Sequence, residues 1–296
     1  MSVSFVLALL IGEILIRFLY PQLIGKWSER GSFYTYDSSL GWKGKPHTSE
    51  NFERINFHVK VRNNSLGFRG GEYSYSKTPN TKRILVLGDS YVWGYGVNTD
   101  DIFTSIMEKK LSTTEVLNMG CSGYGNDQEL LLLKSEGMKF DPDLVIVVVT
   151  LPSDFFNNTH SVQYSYPKPY FIIEGDTLSL YNIPVPKQNL LQRIGNYLTN
   201  KSALFVYLKF LQPKSEKVNS NEVDITYKLL KEINRLCQIN GIEVLFVINP
   251  TIDLTTNQPY RASNEDKLLL LLENENFNVI DLSKYLMIIF KPIRKN

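Results

Sequence analysis

From residue 82 onward the chain alternates short apolar runs with longer stretches of helical character, and this pattern constrains its fold more than any other feature. The runs are RILVLG at 83–88, EVLNMG at 115–120, DLVIVVVT at 143–150, IEVLFVIN at 242–249 and FNVIDL at 277–282. Each has the length of a strand and is apolar nearly throughout, unlike a strand with one wet face, which alternates. Between them lie DDIFTSIMEKKL, whose acidic start and basic end suit a helix dipole, and QELLLLKSEGM. DITYKLLKEINRLCQING, closed by Gly241, and NEDKLLLLLENEN follow in the second half. Strands buried on both faces and separated by helices form a parallel sheet covered on both sides. The expected fold class is therefore α/β, a three-layer α/β/α sandwich around a five-stranded parallel sheet.

Ahead of this block the character differs. Residues 3–24 read VSFVLALLIGEILIRFLYPQLI, almost wholly apolar and about as long as the ~20 residues a helix needs to cross a bilayer. The expectation is an N-terminal membrane helix within residues 1–26, with Glu13 and Arg17 paired at i,i+4 on one face. Lys26 and Arg30 follow it, which by the positive-inside tendency points the rest of the chain to the cytoplasm. Residues 27–81, rich in Gly, Ser, Asn and aromatics, read as an irregular, β-containing preface to a domain at 82–296. A long insertion, 155–222, separates the third and fourth strands. It opens on a hairpin turning at Glu174-Gly175-Asp176 and continues with a helical piece at 190–211.

The 296 residues carry 32 basic and 30 acidic side chains, a net charge of +2, with no basic stripe interleaved with aromatics. Nucleic acid is not the expected partner. The two cysteines, Cys121 and Cys237, lie far apart in no metal-binding spacing, and the chain has no phosphate-loop, dinucleotide or His-Glu-x-x-His motif. No metal and no cofactor are expected.

Chemistry concentrates at Gly88-Asp89-Ser90, directly after the first strand, where crevices of open α/β sheets lie. A serine there can project its hydroxyl toward substrate, with Gly88 permitting a tight turn and backbone N–H groups available to an oxyanion. RILVLGDSYVWGYGV resembles the first block of the SGNH/GDSL hydrolases, a flavodoxin-like family whose serine nucleophile follows Gly-Asp after the first strand. VLNMGCSGYGNDQ at 116–128 is similar to the second block, and DPDLVIVVVTLPSDFFNN at 141–158 to the third. SSLGWKGKP and VRNNSLGFRG look like the preface of the family's membrane-anchored, extracytoplasmic branch, which acts on acyl or acetyl esters, often of carbohydrates. The resemblance implies Ser90 as nucleophile and an oxyanion hole from the N–H groups of Ser90 and Gly120. Ser153 stands at the third donor position, with Gly88, Asp89 and Asp154 in support. The implied partners are an acylated small molecule or carbohydrate and a membrane, and the implied location is extracytoplasmic.

Two departures from the family pattern bear on activity. At the third block the family's asparagine donor is replaced by Ser153, whose hydroxyl is shorter and donates one hydrogen bond. Asn157 or Asn158, from a shifted loop, is the less favoured substitute. The family's Asp-x-x-His is absent, and the histidines are His47, His58 and His160, of which only the last falls near the third block. A serine needs a neighbouring base to attack at neutral pH. The expectation is an ester hydrolase truncated before its Asp-x-x-His and weak or inactive in this form. Two alternatives stand beside it: a non-catalytic, membrane-anchored module that binds a ligand or serves in assembly, and an enzyme that takes its base from another subunit.

Overall fold

In the computed structural model, which describes residues 3–21, 32–54, 56–211, 217–219, 221–253 and 258–289, the chain opens with helix α1 (Val3–Leu19). Two antiparallel hairpins form the preface, β1 (Tyr34–Asp37) with β2 (Gly41–Gly44) and β3 (Ser49–Arg54) with β4 (Phe57–Arg62). Next come β5 (Lys82–Leu87), the single helical turn α2 (Ser90–Trp93), α3 (Phe103–Lys110) and β6 (Thr114–Asn118). They are followed by α4 (Asn126–Ser135), β7 (Leu144–Thr150) and α5 (Leu151–Asn158). The insertion carries β8 (Val162–Gln163), β9 (Tyr166–Pro167), β10 (Tyr170–Glu174), β11 (Thr177–Tyr181), α6 (Leu190–Lys201) and α7 (Ala203–Phe210). The chain returns through α8 (Glu222–Ile239), β12 (Glu243–Asn249), the small hairpin β13 (Thr251–Asp253) and β14 (Gln258–Tyr260), α9 (Ser263–Asn274), β15 (Val279–Asp281) and α10 (Ser283–Ile289).

The five expected runs pair as one parallel sheet in the order β15-β12-β7-β5-β6. Residue parity along each strand decides which layer a side chain joins. Leu85, Leu87, Leu117, Val145, Val147 and Val149 share one apolar core with buried residues of α4, α8 and α9. Ile84, Val86, Val116, Ile146 and Val148 form a second, smaller core on the opposite face with Val92, against which Met107 of α3 packs. The chain steps from β5 outward to β6 and then crosses back past β5 to β7. This reversal places a topological switch point, where open sheets form their ligand crevice, at the carboxyl ends of β5 and β7.

Local chemistry explains the boundaries. The hairpin β10–β11 closes with Glu174 opposite Thr177 and Gly175 at φ +60°, as the Glu-Gly-Asp turn implied. Gly241, at φ +68°, ends α8 with its N–H on the Gln238 carbonyl. The helical piece of the insertion divides at Ser202, whose hydroxyl accepts from Phe205 N–H at 3.0 Å and so starts α7.

The expected membrane crossing at the N-terminus is not supported. Helix α1 has 17 residues, and at 1.5 Å each they rise about 25 Å, short of the ~30 Å hydrocarbon layer. No helix among the described residues is long and apolar enough to span a bilayer. Helical geometry stops at Leu19, two residues before Pro21, whose ring disfavours the helical conformation in the residue preceding it. Lys26 and Arg30, on which the expected orientation rested, lie outside the described residues.

Candidate active site

Gly88 brings β5 into a turn so tight that a Cβ on it would lie 2.3 Å from Cγ2 of Val92, a side chain that is fully buried and unable to yield. Asp89 caps the turn that follows, its Oδ1 accepting from Tyr91 N–H at 2.9 Å. Ser90 then opens α2, half-buried at the switch point, and its Oγ makes no hydrogen bond among the described residues. Gly120 lies flat against the same turn, since a Cβ there would meet Trp93 N at 2.5 Å and Val92 C at 2.7 Å. Asn118 stitches the two segments together. Its Nδ2 donates to Val92 O at 2.6 Å and to Thr104 Oγ1 at 3.0 Å, while its Oδ1 accepts from Gly120 N–H at 3.0 Å. One residue on, Cys121 N–H reaches Gly88 O at 3.0 Å.

The structure therefore brings the first two motif segments together and engages the Gly120 amide inside the fold. The unengaged donor lies three residues further on. Gly123, at φ +81°, has an N–H with no acceptor among the described residues, and so has the N–H of Ser90. Sequence reading passed over Gly123, although the Gly-x-x-Gly spacing and the need for a positive φ were the available signals.

The third segment meets the turn through Asp89. Ser153, in the first turn of α5, donates from Oγ to Asp89 Oδ2 at 2.8 Å and lies 3.0 Å from Thr150 O. Both acceptors belong to the fold, so its single hydroxyl proton is engaged within the protein. Asp154 caps α5 by accepting Thr150 N–H at 2.7 Å. Asn157 and Asn158 are buried and serve the scaffold: Asn157 donates to Tyr124 O, and Asn158 to Asn126 Oδ1 and Thr226 Oγ1.

None of the three histidines bonds to Ser90 among the described residues. His58 is exposed on β4 beside Glu53, and His47 lies in an exposed turn at φ +52°. His160 is buried, its ring stacked on Phe156 with centroids 3.9 Å apart and its Nδ1 2.7 Å from Phe156 O.

Asp89 and Asp154, expected in support, share the interior with Asp127, Glu129 and Lys168, to which the motifs gave no role. Asp89, Asp127, Glu129 and Asp154 are all buried, with Lys168 ion-paired to Asp127 where both side chains are sealed from solvent. Burial pushes Asp127 up and Lys168 down, and each opposes the other's shift. Burial also raises Asp89, against the hydrogen bonds it accepts from Tyr91, Ser153 and Thr150. Glu129 is raised to about 8 by burial, with Asp89 and Asp127 adding to it and the Asn126 hydrogen bond opposing it. Asp154 is pushed well above the carboxylate range by burial and by Glu129. Glu129 Oε1 and Asp154 Oδ1 have no hydrogen-bond partner among the described residues. Burial and mutual repulsion thus favour the protonated form of both carboxyls. Among the described residues no group of three or more His, Cys, Asp or Glu is arranged to hold a metal ion.

The preface completes the site's walls. Arg69, buried, donates to the carbonyls of Trp93 at 2.8 Å and Gly94 at 2.6 Å and to that of Val97, fixing the exit from α2. Trp42 Nε1 donates to Ser122 O at 3.2 Å and Ser122 N–H to Tyr34 Oη at 3.1 Å, so two preface aromatics hold the loop that carries Gly123. The same aromatics, with Tyr36, Tyr166, Lys187 and Arg193, line a cleft of about 310 Å³.

Fold and site together define a class: a parallel α/β sheet with a serine-bearing turn at its switch point, and backbone amides at Ser90 and Gly123 that have no acceptor among the described residues. No family profile matches the chain, and no curated protein is significantly similar to it. Solved structures similar to it are lipolytic proteins and esterases of the GDSL/SGNH class. A member of the lipolytic protein G-D-S-L family from Veillonella parvula DSM 2008 is 12% identical, with a TM-score of 0.41 over 73% of this chain and 87% of that one. The SGNH-hydrolase family esterase AlinE4 is 15% identical, with a TM-score of 0.40 over 74% and 86%. The acetyl xylan esterase AlAXEase is 13% identical, with a TM-score of 0.40 over 70% and 80%. At these values the likenesses carry no weight on substrate or residue roles, which stand on this chain's own geometry.

Proposed function

We propose that this chain is a serine ester hydrolase of the SGNH type acting on acyl or acetyl esters. The observation that carries the reading is the Ser90 hydroxyl, half-buried and unengaged at the switch point, with the backbone amides of Ser90 and Gly123 left without acceptors. In the proposed reaction Ser90 Oγ attacks the ester carbonyl carbon, and the two amides receive the negative charge that develops on the carbonyl oxygen. The alcohol leaves with a proton, and water then cleaves the acyl-serine to regenerate the hydroxyl and release the acid. Asp89 and Ser153 act by position: they fix the turn on which the hydroxyl stands.

The purified chain is expected to hydrolyse p-nitrophenyl acetate faster than its Ser90→Ala variant. Equal rates would remove Ser90 from the mechanism. Gly123→Ala keeps the amide but strains a backbone held at φ +81° and so turns the N–H aside; it is expected to lower kcat with little change in KM, because that donor is used only once the oxyanion forms.

Sugar esters are the proposed natural substrates, supported by the aromatic cleft bonded to the Gly123 loop. Flat aromatic faces suit the apolar faces of sugar rings, and Lys187 and Arg193 supply polar contacts at the rim. Tyr36→Ala is expected to raise KM for an acetylated oligosaccharide by about fivefold, the equivalent of one lost stacking contact, and to leave p-nitrophenyl acetate turnover unchanged.

A second reading, a ligand-binding module derived from the same fold, draws on one observation. No described residue is hydrogen-bonded to Ser90 Oγ to accept its proton.

A further inference from the structure

The exposed apolar surface of this chain is concentrated on three helices, and it is organised. No residue of α1 is buried, and Phe18 is 83% exposed. On α6, Leu190 and Leu191 are 69% and 78% exposed, with Tyr197 on the same helix, and Leu208 and Leu211 stand out at the end of α7. Monomeric soluble proteins seldom expose contiguous apolar patches beyond a few hundred Å².

The three helices meet at one polar clamp. Glu13 Oε2 accepts from Ser202 Oγ at 2.7 Å and Leu204 N–H at 3.0 Å, and its Oε1 from Ala203 N–H at 3.0 Å. Burial would raise this carboxyl, but those donors and Arg17 together hold it down at about 2, so it is ionised at the N-terminus of α7. Arg17 bonds Glu13 at 2.6 Å and the last carbonyl of α6, Lys201 O, at 2.7 Å. Gly12 lets α1 approach Leu204, since a Cβ there would sit 3.2 Å from Cδ2, and Tyr20 stacks on Tyr207 at 5.5 Å. The only charged pair of α1 is thereby consumed in holding the helices together, and the large exposed side chains of α1 other than Arg17 are apolar.

The flanking charge is of one sign. Between residues 187 and 211 the chain has Lys187, Arg193, Lys201 and Lys209 and no Asp or Glu. None of these four cations pairs with a carboxylate among the described residues.

We propose that α1, α6 and α7 form a platform that lies in the surface of an anionic lipid bilayer. Apolar side chains enter the acyl boundary, tyrosines sit at headgroup level, and the unpaired cations meet anionic headgroups. This is an interfacial attachment, compatible with a helix too short to span, and it does not depend on the reaction assigned to Ser90.

Co-sedimentation of the full chain with vesicles tests it. Binding is expected to 3:1 phosphatidylcholine:phosphatidylglycerol vesicles, weaker binding to phosphatidylcholine alone, and a fall as salt rises. Leu190→Asp/Leu191→Asp is expected to weaken binding at least about tenfold, from the apolar surface withdrawn, with far-UV circular dichroism unchanged. Lys201→Gln/Lys209→Gln, a gentler pair that lies outside the aromatic cleft, is expected to erase most of the preference for anionic vesicles. Vesicle binding by Ser90→Ala should equal that of the parent chain, so loss of hydrolysis and loss of docking are read separately. No sedimentation with either vesicle, binding unaffected by both double variants, or a dimer in analytical ultracentrifugation that Leu190→Asp/Leu191→Asp dissolves would overturn the proposal.

Discussion

Glu129 is buried within electrostatic reach of Asp89 in the turn that carries Ser90, and its raised pKa bears on stability. A carboxyl raised from about 4.5 in the unfolded chain to about 8 in the fold keeps its proton longer when folded. The folded state therefore binds more protons across that interval, and stability falls as pH rises through it and levels off above. Asp154, shifted the same way, adds to the fall. The melting temperature is expected to drop between pH 5 and pH 9, and Glu129→Gln, which mimics the protonated form, should flatten the drop. Parallel curves for the two proteins would show that Glu129 ionises freely in the fold. Part of this site could be read from sequence: Gly88, Asp89 and Ser90 announce a capped turn after a strand, and the structure has one. Asp127, Glu129 and Lys168 could not, because single charged letters in a helix start or a loop ordinarily mean solvent, and only the tertiary fold seals them together. Gly120 and Ser153 occupy the expected segments, yet their donors face inward, to Asn118 and to Asp89. Donor direction is set by which acceptors the fold brings near, here Asn118 Oδ1 and Asp89 Oδ2, and motif spacing does not encode it.

Among the elements, the five strands were legible because length and continuous apolar character are local properties. Their largest buried polar residue is Arg83 in the run RILVLG. It is fully buried, its Nε on Glu115 Oε2 at 2.6 Å and its Nη1 on Phe140 O at 2.6 Å. The preface was less legible, since its value lies in contacts across the chain. Arg69 is the clearest case, a residue of an irregular segment that holds three carbonyls at the end of α2. Arg69→Met should lower unfolding stability by on the order of 3 kcal/mol, because three carbonyls lose a charged donor in a buried setting. Urea denaturation reads this directly, and a midpoint unchanged from the parent chain would mean that water satisfies those carbonyls instead. The N-terminal helix was legible in its apolar character and its Glu13–Arg17 pair but not in its role. The pair was expected to ease burial in lipid, and it joins α1 to the corner between α6 and α7.

At the scale of the whole molecule, one design runs from the sheet to the surface. Chain reversal at β5 opens a crevice, the Gly88-Asp89-Ser90 turn puts a hydroxyl there, and the loop at 120–124 is held against it by Asn118 on one side and preface aromatics on the other. The insertion contributes Tyr166, Lys187 and Arg193 to the neighbouring cleft before continuing into the apolar helices. In the proposed account hydrolysis belongs to the Ser90 turn, and surface attachment to α1, α6 and α7. The measurement that bears most directly on the central claim is covalent labelling with a fluorophosphonate probe, followed by mass spectrometry of the proteolysed protein. An activated hydroxyl beside oxyanion donors predicts one adduct, on Ser90, lost in Ser90→Ala and diminished in Gly123→Ala. A folded protein that stays unlabelled, or that carries the adduct on another residue, would contradict the account.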